Sequence, residues 1–154
     1  MEIRHADTTD TTLGYEIRRL ETQDEFEAAL ALRHEVFCVE QGVPPHEERD
    51  GRDRGALHLI AVEDGQVIAT CRLVFVGNTV QFSRLAVRRS ARRRGIASAL
   101  LRRTDTESRA RGAGRIVLHA QTYARTLYEQ AGYGPRGREF VEAAIEHIAM
   151  EKLL

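Results

Sequence analysis

The stretch TVQFSRLAVRRSARRRGIASALLRRTDTESRARGAGRIVLHAQ, residues 79–121, changes periodicity twice and so decides the architecture. TVQFSRLAV (79–87) and RIVLHAQ (115–121) read as strands. Between them, IASALLRRTDTESRARG puts Ile96, Ala97, Leu100, Leu101 and Thr104 on one helical face with charged residues opposite, ending at Gly112 or Gly114. Strand, helix and strand in that order form a crossover, which implies that the two strands run parallel.

The junction before the helix, RRSARRRG (88–95), packs five arginines into seven residues, in a chain whose 23 basic and 23 acidic residues cancel. Clustered arginine suits a nucleic-acid backbone through salt-sensitive attraction. It equally suits a small phosphate site, because a glycine turn feeding a helix presents free amides and the positive end of a dipole. Arginine number alone is a weak guide: 22 of the 23 basic residues are arginine, which is compatible with coding bias. Distribution is more informative, with ten arginines between Arg88 and Arg115 against only Asp105 and Glu107. HEERD (46–50) reads as a solvated acidic loop.

Working outward, residues 1–14 are polar and read as a loose N-terminal extension. YEIRRLE (15–21) alternates as a strand. Thr22 and Glu25 form a capping-box pattern before Phe26, Ala29, Leu30, Arg33, Val36 and Phe37, predicting a helix from about Asp24 to Cys38. GVPP (42–45) ends it, and a polar loop runs to about Gly55. HLIAVE, an Asp64-Gly65 turn, QVIATCRLVFV and a Gly77-Asn78 turn lead into the strand at 79, giving three consecutive antiparallel strands. ARTLYEQAG (124–132) is a short helix, and the remainder closes with one or two strands. The result is a single α+β domain with a mixed sheet.

At 154 residues, with 42% hydrophobic and 30% charged residues, the chain can bury a core without metal or disulfides. Cys38 and Cys71 lack ligand or redox spacing and read as reduced, small apolar residues. The N-terminus lacks a signal-peptide core and no apolar run spans a bilayer, so a cytoplasmic protein without membrane contact is expected. His46-Glu47 lacks the second histidine of H-E-x-x-H, and no metal is expected.

R-x-x-G-x-A at 92–97, after FSRLAV and before an amphipathic helix, resembles the acetyl-CoA signature of the GNAT superfamily of N-acetyltransferases. ARTLYEQAGY (124–133) is similar to that superfamily's A-x-x-x-Y-x-x-x-G-[FY] segment. RHEVFCVEQGVPP (33–45), LHAQ (118–121) and IEHIAM (145–150) resemble segments of its ElaA-type branch, and the likeness extends over residues 15–154. Two departures stand out: Ser83 and Glu146 replace a frequent glycine and proline.

The resemblance implies a GNAT-like, mostly antiparallel twisted sheet flanked by helices, and direct acetyl transfer from acetyl-CoA to a primary amine of a small molecule or peptide. It places Leu85, Ala86 and Val87 beside the pantetheine arm, and Arg92, Arg93, Arg94, Gly95, Ile96, Ala97 and Ser98 around the diphosphate, with Arg125 and Tyr128 also on the coenzyme side. Tyr128 is expected as general acid for the departing thiolate. Candidate bases are Glu35, Glu40, His119 and His147, while Arg33, Gln41 and Gln121 are expected to shape the acceptor site. A homodimer is the default assembly. A non-catalytic acyl-CoA sensor is the alternative, and below it a nucleic-acid module using the Arg88–Arg115 face, which lacks the interleaved aromatics of single-strand binders.

Overall fold

The computed structural model describes residues 9–10 and 14–154. Of the expected N-terminal extension, only β1 (Thr9–Asp10), paired antiparallel with the next strand, and Gly14 are among them; the rest of 1–14 lies outside the described residues. β2 (Tyr15–Arg19) buries Tyr15 and Ile17, the alternate positions of YEIRR.

Thr22 then caps α1 (Gln23–Arg33) with the complete reciprocal box: the Glu25 amide donates to Thr22 Oγ1 at 3.1 Å, and the Thr22 amide to the Glu25 carboxylate at 3.2 Å. Arg18 donates to the same carboxylate and holds its pKa at about 2. The helix predicted to Cys38 does not keep one pitch. After Arg33 it widens into a π-helix over His34–Glu40, a form uncommon outside functional positions. Pro45 opens α2 (Pro45–Glu48), a single turn, since a proline's missing N–H is not needed in a first turn.

β3 (Leu57–Glu63), β4 (Gln66–Val76) and β5 (Thr79–Val87) form the expected antiparallel meander. Asp64 and Gly65 both take positive φ (51° and 74°), the turn whose twist matches the strands. α3 (Ile96–Ala110) crosses back to β6 (Arg115–Gln121), which pairs parallel with β5 as the crossover requires. α4 (Arg125–Gln130) leads to β7 (Gly134–Glu142) and β8 (Ile145–Leu153). The described strands form one sheet in the order β1-β2-β3-β4-β5-β6-β8-β7, with only β5–β6 parallel.

Helices cover both faces. Leu59, Cys71, Leu73, Phe82, Leu118 and Met150 pack beneath Ile96, Leu100 and Leu101 of α3 and Tyr128 of α4. Ala29, Leu32 and Val36 close the opposite face over Ile60, Val67 and Ala86. β4, near the middle, is accordingly buried from Val67 to Leu73 without alternation. Cys71 is buried and Cys38 half-buried, both free thiols.

One irregularity shapes the rest. Thr70 pairs with Ala86 but Arg72 pairs with Ser83, so β5 carries an extra residue there, and Arg84 takes φ 59°. A buried ion-pair network holds that bulge. Arg33 donates to Glu48 (2.7 Å) and Asp53 (2.6 Å), Arg72 grips Asp50 with two contacts of 2.8 Å, and Arg84 donates to Glu48 Oε2 (2.8 Å) and to its carbonyl (2.9 Å). HEERD is solvated at His46, Glu47 and Arg49, as expected, but Glu48 is 3% exposed and Asp50 faces Arg72 and Arg84.

Removing Arg33 takes the most deeply buried cation from two carboxylates and leaves Glu48 to Arg84 and Asp53 to Arg72. Arg33→Ala is expected to lower stability by about 3–5 kcal/mol in urea titrations, as loss of one partner of a buried pair does; a change within ordinary surface range would contradict the network. The Arg72 hydrogen bonds hold Asp50 well below the usual carboxylate range, and for Asp53 burial pulls upward but Arg33 and Arg72 win. Folded-state pKa values below the unfolded ones stabilise above the unfolded pKa, and that stability is lost as pH falls through the folded values. Melting temperature should hold from about pH 7 to 5 and decline progressively below about pH 4; a flat acid profile would remove these groups from the account.

Candidate active site

β5 and β6 pair only from Thr79–Arg115 to Gln81–Val117. Beyond that point the extra residue at Arg84 bends β5 away while β6 stays paired with β8 along its whole length. The strands splay, and a cleft of about 950 Å³ opens through the sheet. Phe82, Ser83, Leu85 and Val87 line one side, Leu118, His119 and Gln121 the other. Past Gln81, β5 has no ladder partner on its β6 side, so its backbone groups are available to an extended ligand.

At one end of the cleft stands the start of α3. Gly95, its N-cap, has φ 78° and supplies no side-chain cap, which leaves the first-turn amides at Ile96, Ala97 and Ser98 without that partner. A Cβ at Gly95 would meet nothing within 4 Å, so the requirement for glycine there is conformational rather than steric. Arg93 also sits at positive φ (65°), backbone of the kind that gathers amides into an anion-binding concavity.

The three adjacent arginines are not equivalent. Arg92 donates to the Val87 carbonyl (2.9 Å) and to Glu40 (2.8 Å), and Arg94 to Glu63 (2.5 Å). Arg93 has no side-chain partner among the described residues. Elsewhere on the basic face Arg103 pairs with Glu107 and Arg115 with Glu151, Arg111 lies over the Phe75 ring, and Arg88 donates to Gln66.

Tyr128 lines the cleft from α4. It is 7% exposed and packed edge-on against Phe82 and Tyr133, and its hydroxyl has no hydrogen-bond partner among the described residues. Burial raises its pKa far above the ordinary tyrosine value, so the phenol keeps its proton at neutral pH.

The opposite mouth of the cleft carries two histidines. His147 pairs with Gln121 across β6–β8, is 8% exposed, and stacks on Phe140. Its Nδ1 lies 2.7 Å from the Ile145 carbonyl; a carbonyl only accepts, so Nδ1 carries the hydrogen and the neutral ring has its lone pair on Nε2. His119, more exposed, turns Nδ1 to Glu142 at 3.1 Å and packs edge-on against Phe140. Gln41 and Gln121 exchange amide hydrogen bonds at 3.3 and 2.9 Å.

The structure therefore gathers Leu85, Val87, Arg92, Ala97, Tyr128, His119, His147, Gln41 and Gln121 around one cleft, while Ala86 turns into the core beneath α1. Three expectations change. Arg33 is enclosed by Glu48 and Asp53 and does not line the cleft. Glu40 is engaged by the guanidinium of Arg92 at 2.8 Å. Arg125 pairs with Glu129, one turn along α4. Glu35 is exposed on the π-helix. Arg84, Phe140 and Glu142 escaped sequence reasoning. For Glu142 the hairpin offered no signal, because its turn residues, Ala143 and Ala144, take positive φ (53° and 61°) without the usual glycine or asparagine.

Among the described residues no three His, Cys, Asp or Glu side chains cluster as a metal site, and no helix is long and apolar enough to cross a membrane. The chain is 30% identical to an acyl-CoA N-acyltransferase from Pseudomonas aeruginosa, with a TM-score of 0.79 over 90% of this chain and 98% of that one. Escherichia coli ElaA has the same fold, with a TM-score of 0.81 over 90% and 99% of the two chains at 23% identity. By sequence this chain is 37% identical over 128 residues to protein Rv2851c of Mycobacterium tuberculosis, covering 79% of this chain and 80% of that one. It is 28% identical over 131 residues to YjcF, an uncharacterized N-acetyltransferase of Bacillus subtilis, covering 84% and 94%. Residues 20–154 match the acetyltransferase (GNAT) domain model, which takes in the splayed strands, the uncapped helix and the buried tyrosine alike, and the chain belongs to that family.

Proposed function

We propose that this protein is an acetyl-CoA-dependent N-acetyltransferase that moves the acetyl group directly to a primary amine within a ternary complex. The observation that carries the reading is the single cleft running from the uncapped start of α3, past Tyr128, to His147. A diphosphate fits the amides at Gly95–Ser98, with Arg93 as the arginine free to meet it. The pantetheine arm then lies along Leu85–Val87, where β5 lacks a ladder partner.

In that pose the acceptor nitrogen attacks the thioester carbon, the carbon–sulfur bond breaks, and the proton lost by the amine goes to His147 Nε2. Tyr128, fully protonated, donates to the departing thiolate. His119 stands beside this path as a second acceptor, oriented by Glu142. Gln41 and Gln121 border the acceptor side, and the substrate is a small-molecule or peptide amine. We place the activity in the cytoplasm, without metal, membrane or nucleic acid, in a monomer or homodimer. A sensor that binds acyl-CoA without turnover is the competing reading.

Acetyl-CoA is expected to raise the melting temperature and duplex DNA to leave it unchanged, since only a ligand of the native state stabilises it; stabilisation by DNA alone would reverse the assignment. Free-thiol release, measured across polyamines, amino sugars and peptides, should identify at least one acceptor. Tyr128→Phe keeps the packing against Phe82 and is expected to lower kcat by about a hundredfold or more while acetyl-CoA still stabilises the fold. Parent-like turnover in that variant would end the acid role, and absence of turnover with every acceptor would favour the sensor.

A further inference from the structure

We infer that Glu40 is a positioning residue which, with Gln41 beside it, braces the open ends of the two cleft strands and sets the width of the cleft; its catalytic consequence rests on the coenzyme reading above. β5 and β6 hold each other only through Gln81 and Val117. Their free ends, at Val87 and Gln121, have no ladder to fix their separation. Two consecutive residues closing the π-helix reach both ends. Glu40 accepts from Arg92 Nη2 at 2.8 and 3.1 Å, and the same guanidinium donates through Nε to the Val87 carbonyl at 2.9 Å. Gln41 exchanges two amide hydrogen bonds with Gln121 and donates weakly to the Tyr123 hydroxyl at 3.5 Å.

One segment thus grips the end of β5 on one side and the end of β6 on the other, in place of the hydrogen bonds the splay removed. The wide π turn ends the helix with these two neighbouring side chains serving different strands. Arg92 is accordingly used by the fold, which leaves diphosphate contact to Arg93 and the helix amides. An exposed pair such as Glu40–Arg92 contributes little to global stability. Its effect therefore lies in geometry, where a misplacement of the thioester by about 1 Å is enough to cost about a hundredfold in rate.

The test compares the parent with Glu40→Gln, Gln41→Ala, the double variant and the conservative Glu40→Asp. In the double variant, amide hydrogen exchange at 84–87 and 118–121 should accelerate at least about fivefold, with exchange in α3 unchanged. Melting temperature should move by less than about 3 °C. With the best acceptor, kcat should fall about tenfold or more while KM for acetyl-CoA stays within about threefold, and Glu40→Asp should recover part of the loss. Unaltered exchange at both strand ends, or unaltered kcat, overturns the brace. A parent protein that binds no acetyl-CoA in a thermal-shift titration overturns the coenzyme reading and the catalytic consequence with it, whereas binding with unaltered exchange in the double variant overturns the brace alone.

Discussion

The extra residue in β5 governs the molecule. With Arg84 in left-handed backbone, β5 turns out of register between Thr70 and Arg72 and cannot stay paired with β6, so a sheet that is otherwise continuous opens at its centre. A non-glycine residue in that conformation stores roughly 1–3 kcal/mol of strain and persists only where its surroundings over-determine it. Here they do: Glu48, Asp50 and the carbonyls of α2 receive the Arg84 guanidinium, and Arg33, Arg72 and Asp53 complete the charge balance behind them. Arg33 of α1 and Arg84 of the bulge meet on Glu48 of α2, so the bulge and the first helices form one unit.

Arginine serves three separate purposes. Arg33, Arg72 and Arg84 are matched by Glu48, Asp50 and Asp53, and define the cleft wall. Arg92 and Arg94 tie neighbouring elements to Glu40 and Glu63, and Arg103 pairs with Glu107 one turn along α3. Arg93 stays uncommitted, next to the one long helix that begins in the cleft without a side-chain cap.

Tyr128 and His147 make a complementary pair of environments. The phenol, enclosed by Phe82 and Tyr133, keeps its proton, and the imidazole is anchored through Nδ1 by a backbone carbonyl. They approach the cleft from opposite faces of the sheet, which is possible because the splay lets a ligand pass through it. In the proposed reaction this separates the group that receives the amine proton from the group that supplies the thiolate's.

Much of this was legible in the linear chain. The capping box at Thr22–Glu25, the Asp64-Gly65 turn, the amphipathic stripe of α3 and the glycine before it are local effects, set by hydrogen bonds and periodicities within a few residues, so the sequence by itself determined the elements, the parallel crossover and the loop at Gly95. Other features depend on partners distant in sequence. Nothing within HEERD reveals that Arg33, Arg72 and Arg84 converge on Glu48 and Asp50, and nothing near Glu40 reveals its partner, because Arg92 lies 52 residues away. The pitch change after Arg33, the left-handed Arg84 and the Ala143-Ala144 turn run against local preference and exist only because packing and ion pairs outweigh it. Tertiary structure alone decided where β5 leaves β6, and with that the position and width of the cleft, because a strand departs from its neighbour only when contacts from elsewhere replace the ladder it gives up.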